Sequence, residues 1–335
     1  MGTELVCVAP YARQAAGQLT HAHLRWLLPA LAAEAVSMMA FARLQRFALG
    51  TGGLRVTIGS AAATVFAGNA LSASLPGGNL ISLTYRTRRM RAWGASAPQI
   101  GFVHAATGVL STIALAVLAG VGHTVAGDGS QLLPVAVHVL ATVALACAAL
   151  ALVHHPAVLR RPVGALLRLW HRLRRSGAEP QSAEGLLDEL AAMDPSARFW
   201  ARGLGLALGN WSADLVCLLA VCHAVGASPT LATVVLAYVA AMTAASAMPL
   251  LPAGLGTLDA ALVLTLHHGG VSTIPATAAD LLYRLITPGL VSVAGWVLLF
   301  RQRPGRAARA VRTAPEPAPL VSTGDPHGTP AVTTH

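Results

Sequence analysis

The sequence predicts an all-α, polytopic integral membrane protein with about six full spans and two broken, re-entrant helical hairpins arranged as inverted repeats. Three observations carry that expectation. Hydrophobic residues make up 55% of the 335 positions and charged residues only 11%, whereas a soluble domain carries about a quarter charged residues. Apolar runs of about 20 residues, long enough to cross a ~30 Å hydrocarbon core, recur from Leu27 to Phe300. Two of these runs are interrupted in corresponding places by Leu-Pro and glycines, at 72-SASLPGGN-79 and 250-LLPAGLGTLDA-260.

The elements follow in order. Residues 1–25 form an N-terminal segment without the basic start and apolar core of a signal peptide. Apolar segments then occupy 26–48, 56–75, 100–122, 132–153, 199–225 and 230–251, followed by a short piece at 257–268 and a last span at 276–300. All 23 basic residues are arginine, and their placement orients these segments. Arg43, Arg46 and Arg55, then Arg86, Arg88, Arg89 and Arg91, then Arg160 to Arg175, then Arg301 to Arg312 mark cytoplasmic connections. The connections 123–131, 226–229 and 269–275 hold no arginine and face outward.

Because arginines flank 56–75 and its return on the same side, that segment enters and leaves by one face. It reads as a hairpin with its tip at Leu75–Gly78. The second half gives the mirror image, with 230–251 entering from outside and 257–268 returning; two complete crossings satisfy the same arginine count. The transmembrane domain is therefore 26–303, with a first repeat 26–122, a linking helix 132–153, a cytoplasmic loop 156–198 and a second repeat 199–300. Within the loop, Val163, Leu166, Leu167, Trp170 and Leu173 share one helical face opposite arginines, the pattern of a basic interfacial helix. The tail 304–335 is rich in Pro, Thr, Gly and Ala and poor in large apolar residues, so it is expected to be disordered and cytoplasmic.

The breaks are the first chemical candidates. Proline removes a backbone donor and glycine permits positive φ and close approach. At membrane depth such backbone must line a cavity or be buried in protein. A helix restarting at Asn79 or Thr257 would offer free amides and a positive dipole end to an anion, so Asn69, Pro76, Gly77, Gly78, Asn79, Pro252, Gly254, Gly256 and Thr257 are candidate substrate-binding positions. The plain alternative is a proline kink needed for packing. Charges inside spans follow: Glu34, Asp214, Asp259, Asp280 and Arg284, each expensive in hydrocarbon. Asp280 and Arg284 stand four apart and can pair. Asp259 can serve as simple helix-start chemistry, as the partner of Arg284, or as the partner of a cationic headgroup. Asp214, one turn after Asn210, is either a packing pair or a cavity residue. Arg86 is a candidate phosphate ligand, with topology as its plain explanation. The pairs His154-His155 and His267-His268 lack the further ligands a zinc site needs, and 205-GLALG-209 matches a close-packing GxxxG. The four cysteines form no CxxC and read as buried hydrophobes. No GxSxG, HExxH or Walker loop occurs.

The segment 250-LLPAGLGTLDAALV-263, with 69-NALSASLPGG-78 and 281-LLYRL-285, resembles the lysylphosphatidylglycerol synthase transmembrane family over about residues 24–303. That family includes the flippase half of MprF-type proteins and stand-alone YbhN-like and AglD-like members. The resemblance implies that Asp259 stands for the family's usual glutamate and Arg284 for its intramembrane arginine. It implies a flippase or permease for lipids with charged or glycosylated headgroups, working through cavities built around re-entrant helices, with no cofactor and no catalytic residue. The chain departs from the pattern at Asn79-Leu80, where relatives carry an acid, and in the third span, which lacks their arginine and aspartate. An N-terminal span and an aminoacyl-transferase domain are also expected to be absent. The expected setting is the bacterial inner membrane with the C-terminus cytoplasmic. Membrane lipids are the expected partners, nucleic acid is not, and a homo-oligomer or an envelope-synthesis enzyme is the protein partner this class admits. The alternative function is a non-transporting scaffold for envelope lipid or glycan synthesis.

Overall fold

The computed structural model describes Gly17 and residues 22–126, 195–247, 254 and 256–301. The linking helix at 132–153, the loop helix at 156–177, the tail and the tip residues Leu251, Pro252 and Ala253 lie outside the described residues. Among the described residues the ordered elements are all helices: α1 (Leu24–Gly50), α2 (Ile58–Ser74), α3 (Gly78–Ala92), α4 (Ala97–Ala126), α5 (Ala197–Ala224), α6 (Leu231–Ala247), α7 (Thr257–His268), α8 (Thr273–Arg284), a π-helical turn (Leu285–Leu290) and α9 (Val291–Arg301).

Four of these are long and apolar enough to cross a membrane: α1, α4 as far as Gly122, α5, and the continuous run Thr273–Arg301. The 17-residue helices α2 and α6 are each about 26 Å long and lead into breaks. About six spans were expected; four are present among the described residues, and the segment expected to supply the linking span is not among them.

Both breaks are built by glycine. At the first tip Gly77 adopts φ +64° as the residue before α3. Gly78 lies so close to the end of α2 that an added Cβ would meet the carbonyl oxygens of Leu71 and Ser72, each at 2.5 Å. At the second tip Gly254 has φ +65° and its Cβ would meet that of Ala245 at 2.8 Å. It is the missing Cβ atoms that let each return helix lie against the outgoing one. Helices α3 and α7 thus begin at Gly78 and Thr257 with glycine caps, rather than with Asn79 and Thr257 as capping residues. Asn79 instead accepts a hydrogen bond from Ser72 across the hairpin, and Thr257 donates to the carbonyl of Gly254.

The helices sort into two ends. Arg46 donates from Nε to the Val56 carbonyl (2.8 Å) at the foot of α2, and Met90 and Trp93 at the end of α3 pack with Ala48, Leu49, Val56 and Phe199. Both open ends of the first hairpin therefore lie at the arginine-bearing end. At the opposite end His23 donates its amide to the Ala224 carbonyl (2.9 Å), and Gly269 lies against Thr233. Both open ends of the second hairpin lie there. Helices α1 and α5 pack along each other through the centre, α2 packs on α9, and α6 packs on α4.

One packing motif came out differently from the sequence. Gly205 and Gly209 of the GxxxG face open space, because the close approach is made two residues earlier, where Gly203 meets Leu110. The tighter contact is Gly295 of α9, whose missing Cβ leaves room for the Phe66 carbonyl and Ala70 of α2. Gly295→Ala is expected to lower the thermal stability of the detergent-solubilised chain by about 1–3 kcal/mol, the usual range for overpacking. Gly205→Ala is expected to leave it unchanged or raised. Equal melting temperatures for the two variants would contradict this assignment.

Candidate functional site

The centre of the bundle holds a cavity of about 210 Å³. Glu34 and Met38 reach it from α1, Asn69, Ser72 and Ala73 from α2, Asp214 from α5, and Leu258 from α7. Met242 of α6, Tyr283 and Arg284 of α8, Thr287 and Pro288 of the π turn, and Val291 and Ser292 of α9 complete the wall among the described residues. The two hairpins, far apart in sequence, thus contribute the ends of their membrane helices to one space.

The charged side of the cavity is organised by the start of α7. Asp259 accepts the Gly256 amide at Oδ2 (2.8 Å), which meets one of the amides left without a helical partner at a helix start. Its other oxygen, Oδ1, forms an ion pair with Nε of Arg284. Arg284 also reaches the Gly254 carbonyl through Nη2 (3.4 Å). Asp259 is thus both helix-start chemistry and the partner of Arg284. The side chains are 14% exposed for Arg284 and 28% for Asp259; Arg284 lines the cavity, and its partner Asp259 does not. Asp280, the i−4 neighbour, is instead buried with Oδ1 lacking a hydrogen-bond partner. The i,i+4 alternative gives way because Asp259, fixed by the second tip, places its carboxylate directly on Nε.

Directly after Arg284 the last span widens into the π turn. Pro288 has no amide to give to the carbonyl one turn before it, and Thr287 donates from Oγ1 to the Tyr283 carbonyl (2.9 Å). The sequence signal is the Pro-Gly pair in 285-LITPGL-290. It was overlooked because the apolar run continues through it without a charge.

The opposite side of the cavity is carboxylate and phenol. Tyr238 and Tyr283 donate their hydroxyls to the two oxygens of Asp214, at 2.7 and 3.0 Å. Glu34 is 5% exposed, and its Oε2 has no hydrogen-bond partner. Asn210 does not join this group; it accepts from Ser37 Oγ (3.1 Å) between α1 and α5. Asp214 is the cavity residue and Asn210 the packing residue. The two tyrosines were not among the sequence candidates, since a tyrosine in an apolar run carries no charge to mark it.

Asn69 links the cavity to the first hairpin's second helix. Its Oδ1 accepts from Arg86 Nη2 (3.1 Å) and its Nδ2 donates to Met38 Sδ (3.1 Å). Arg86 stacks over the Phe41 ring, 5.4 Å from its centroid, in a space that Gly68 leaves open. Arg86 does not itself line the cavity. Pro76, Gly77, Gly78, Asn79, Gly254, Gly256 and Thr257 do not line it either; they shape the tips behind it. Pro252 lies outside the described residues. His267 and His268 bond to the Val271 and Leu264 carbonyls, and no group of three potential metal ligands occurs among the described residues. Cys217 and Cys222 are buried thiols.

Among families, the one described as Lysylphosphatidylglycerol synthase TM region matches residues 11–295, in agreement with the resemblance carried by the two Leu-Pro-Gly segments. No curated protein matches the chain.

The ion pair makes a prediction of its own. In a double-mutant cycle of Asp259→Asn and Arg284→Gln, melted in detergent, the two changes are expected to be non-additive by about 1–3 kcal/mol. Strict additivity would mean that the two side chains do not act as a pair.

Proposed function

The chain belongs to the lysylphosphatidylglycerol synthase TM family, and on that premise we propose that it is a flippase or permease of the bacterial inner membrane. Its cargo would be a lipid with a charged or glycosylated headgroup. The observation that carries this reading is the single cavity walled by both hairpins, lined by Arg284, which Asp259 holds in an ion pair. A space of about 210 Å³ is smaller than the pockets that enclose whole drug-sized ligands. It suits a headgroup whose acyl chains remain in the bilayer.

In this mechanism the anionic part of the headgroup engages the Arg284 guanidinium, which exchanges part of its bond to Asp259 for the incoming oxygen. Charge-assisted contacts of this kind are among the stronger hydrogen bonds. Asn69 and Ser72, from the first hairpin, supply amide and hydroxyl groups on the facing wall. Arg86 holds Asn69 in position from behind rather than meeting the headgroup directly. Asp214 and Glu34 line the remaining side and would favour hydroxyl or ammonium groups of the cargo.

Reciprocal packing supports the inverted-repeat reading. The hairpin of each half lies on the last span of the other, α2 on α9 and α6 on α4, about the central pair α1 and α5. That exchange suits alternating access by rocking of one half against the other. The first hairpin is then re-entrant from the cytoplasm and the second from outside, with Arg301 cytoplasmic.

Two experiments test the proposal. In proteoliposomes carrying fluorescent phospholipids or polyprenyl-linked lipids, the wild type is expected to exchange at least one of them between leaflets. Arg284→Ala should slow that exchange by about tenfold or more, matching the loss of a charge-assisted bond of about 1.5–3 kcal/mol. Equal rates for wild type and variant across all these lipids would sink the reading. In a cysteine-free background, single cysteines at Gly50 and Ala97, both exposed positions, are expected to react with a membrane-impermeant reagent from the same face of the membrane. Labelling from opposite faces would rule out a re-entrant first hairpin.

A further inference from the structure

A second concave site lies away from the central cavity, at the arginine-bearing end. The last turns of α1, the connection 51–57 and the first turns of α5 enclose a groove of about 1050 Å³. Among the described residues five arginines line it, Arg43, Arg46, Arg55, Arg198 and Arg202, and no acidic residue does. Its apolar wall is formed by Phe47 and Phe199, stacked with ring centroids 5.1 Å apart, and by Leu54 and Leu206.

The groove is held in shape by its own hydrogen bonds. Arg46 ties the connection down through the Val56 carbonyl. Gln99 donates to the Leu49 carbonyl and Thr51 to that of Ala48, each at 2.8 Å. These two bonds cover carbonyls at the negative end of α1. Helix α5 begins at the groove wall, with Ser196 before its first turn, so the positive end of a 28-residue helix faces the same space.

Topology explains why arginines collect at this end of the bundle. It does not explain why three separate segments bring five of them to one groove with no carboxylate beside them among the described residues. Like charges held together call for an anion, and the planar guanidinium fork matches phosphate oxygens. The apolar wall beside them calls for an acyl chain. Basic pockets between membrane helices on the cytoplasmic side are a recurrent way of holding anionic lipid headgroups.

We propose that this groove binds the phosphate of an anionic phospholipid from the leaflet at the arginine-bearing end. The lipid's acyl chain lies along Phe47, Leu54 and Leu206. The site is separate from the central cavity and does not depend on the chain being a transporter.

The test is native mass spectrometry of the full chain released from nanodiscs. The nanodiscs contain phosphatidylglycerol and phosphatidylcholine in equal amounts. The wild type is expected to retain phosphatidylglycerol in preference to phosphatidylcholine. R43Q/R202Q should retain about thirtyfold less, as the loss of two surface charges near a lipid phosphate implies. R301Q, at an exposed arginine outside both sites, should retain as much as the wild type, and Arg284→Ala is measured beside it to report on the central cavity. Millimolar inorganic phosphate should not displace the lipid. Because these arginines are exposed, the variants should melt with the wild type, and R198Q serves as a second variant if the double change unfolds. Equal retention by wild type and both groove variants, or no preference for the anionic lipid, would overturn the proposal. Displacement by inorganic phosphate would make the groove a free-anion site and overturn the lipid assignment. Loss of binding only in Arg284→Ala would move the lipid to the central cavity. A chain that moves no lipid in proteoliposomes but behaves as expected here would leave this site standing.

Discussion

A backbone amide or carbonyl without a partner costs several kcal/mol in hydrocarbon, and the two broken helices are arranged around that cost. At the second tip the Gly256 amide is met by Asp259 and the Gly254 carbonyl by Thr257 and Arg284. The residues that look functional are thus the same ones that make a break tolerable at depth. At the first tip the solution is different. Gly77 and Gly78 let α3 begin directly against the carbonyls ending α2, and Ser72 and Asn79 close the hairpin side to side. One tip is satisfied by charge and the other by proximity, which explains why only the second carries an aspartate.

That difference propagates. Because Asp259 is spent on both an amide and Arg284, α8 is drawn to the tip of α7, and Tyr283 comes to bear on Asp214 of the central pair. Tyr238, from the outgoing helix of the same hairpin, takes the other oxygen. The second hairpin is therefore tied to the centre by hydrogen bonds. The first is tied mainly by packing, through Gly295 against Phe66 and Met38 against Asn69.

Much of this was legible in the sequence because membrane insertion writes simple rules. Arginine counting pointed to the first hairpin and left the second open between a hairpin and two crossings, and the glycines of SASLPGGN and PAGLG marked the tips. The pairing of Arg284 was left between Asp280 and Asp259, since a spacing of four says what one helix permits and nothing about a neighbouring hairpin. What stayed hidden was tertiary. Tyr238 and Tyr283 are polar only at the tip of an aromatic ring, so they merge with their apolar runs. Gly203 and Gly295 are ordinary glycines until a neighbouring helix is placed against them, while the more eye-catching Gly205 and Gly209 meet nothing. The groove of five arginines was visible only as scattered positive charge, because its two walls come from segments about 150 positions apart.

The π turn at Leu285–Leu290 has a mechanical meaning for the last span. On one side of it, Arg284 is bolted to the second hairpin; on the other, Gly295 is seated on the first. A helix with a widened turn and a proline is softest at that point. The last span is therefore a crank with a single joint. Along the last span, torque from either hairpin passes to the other through the elbow at Pro288, beside the cavity wall that both hairpins share.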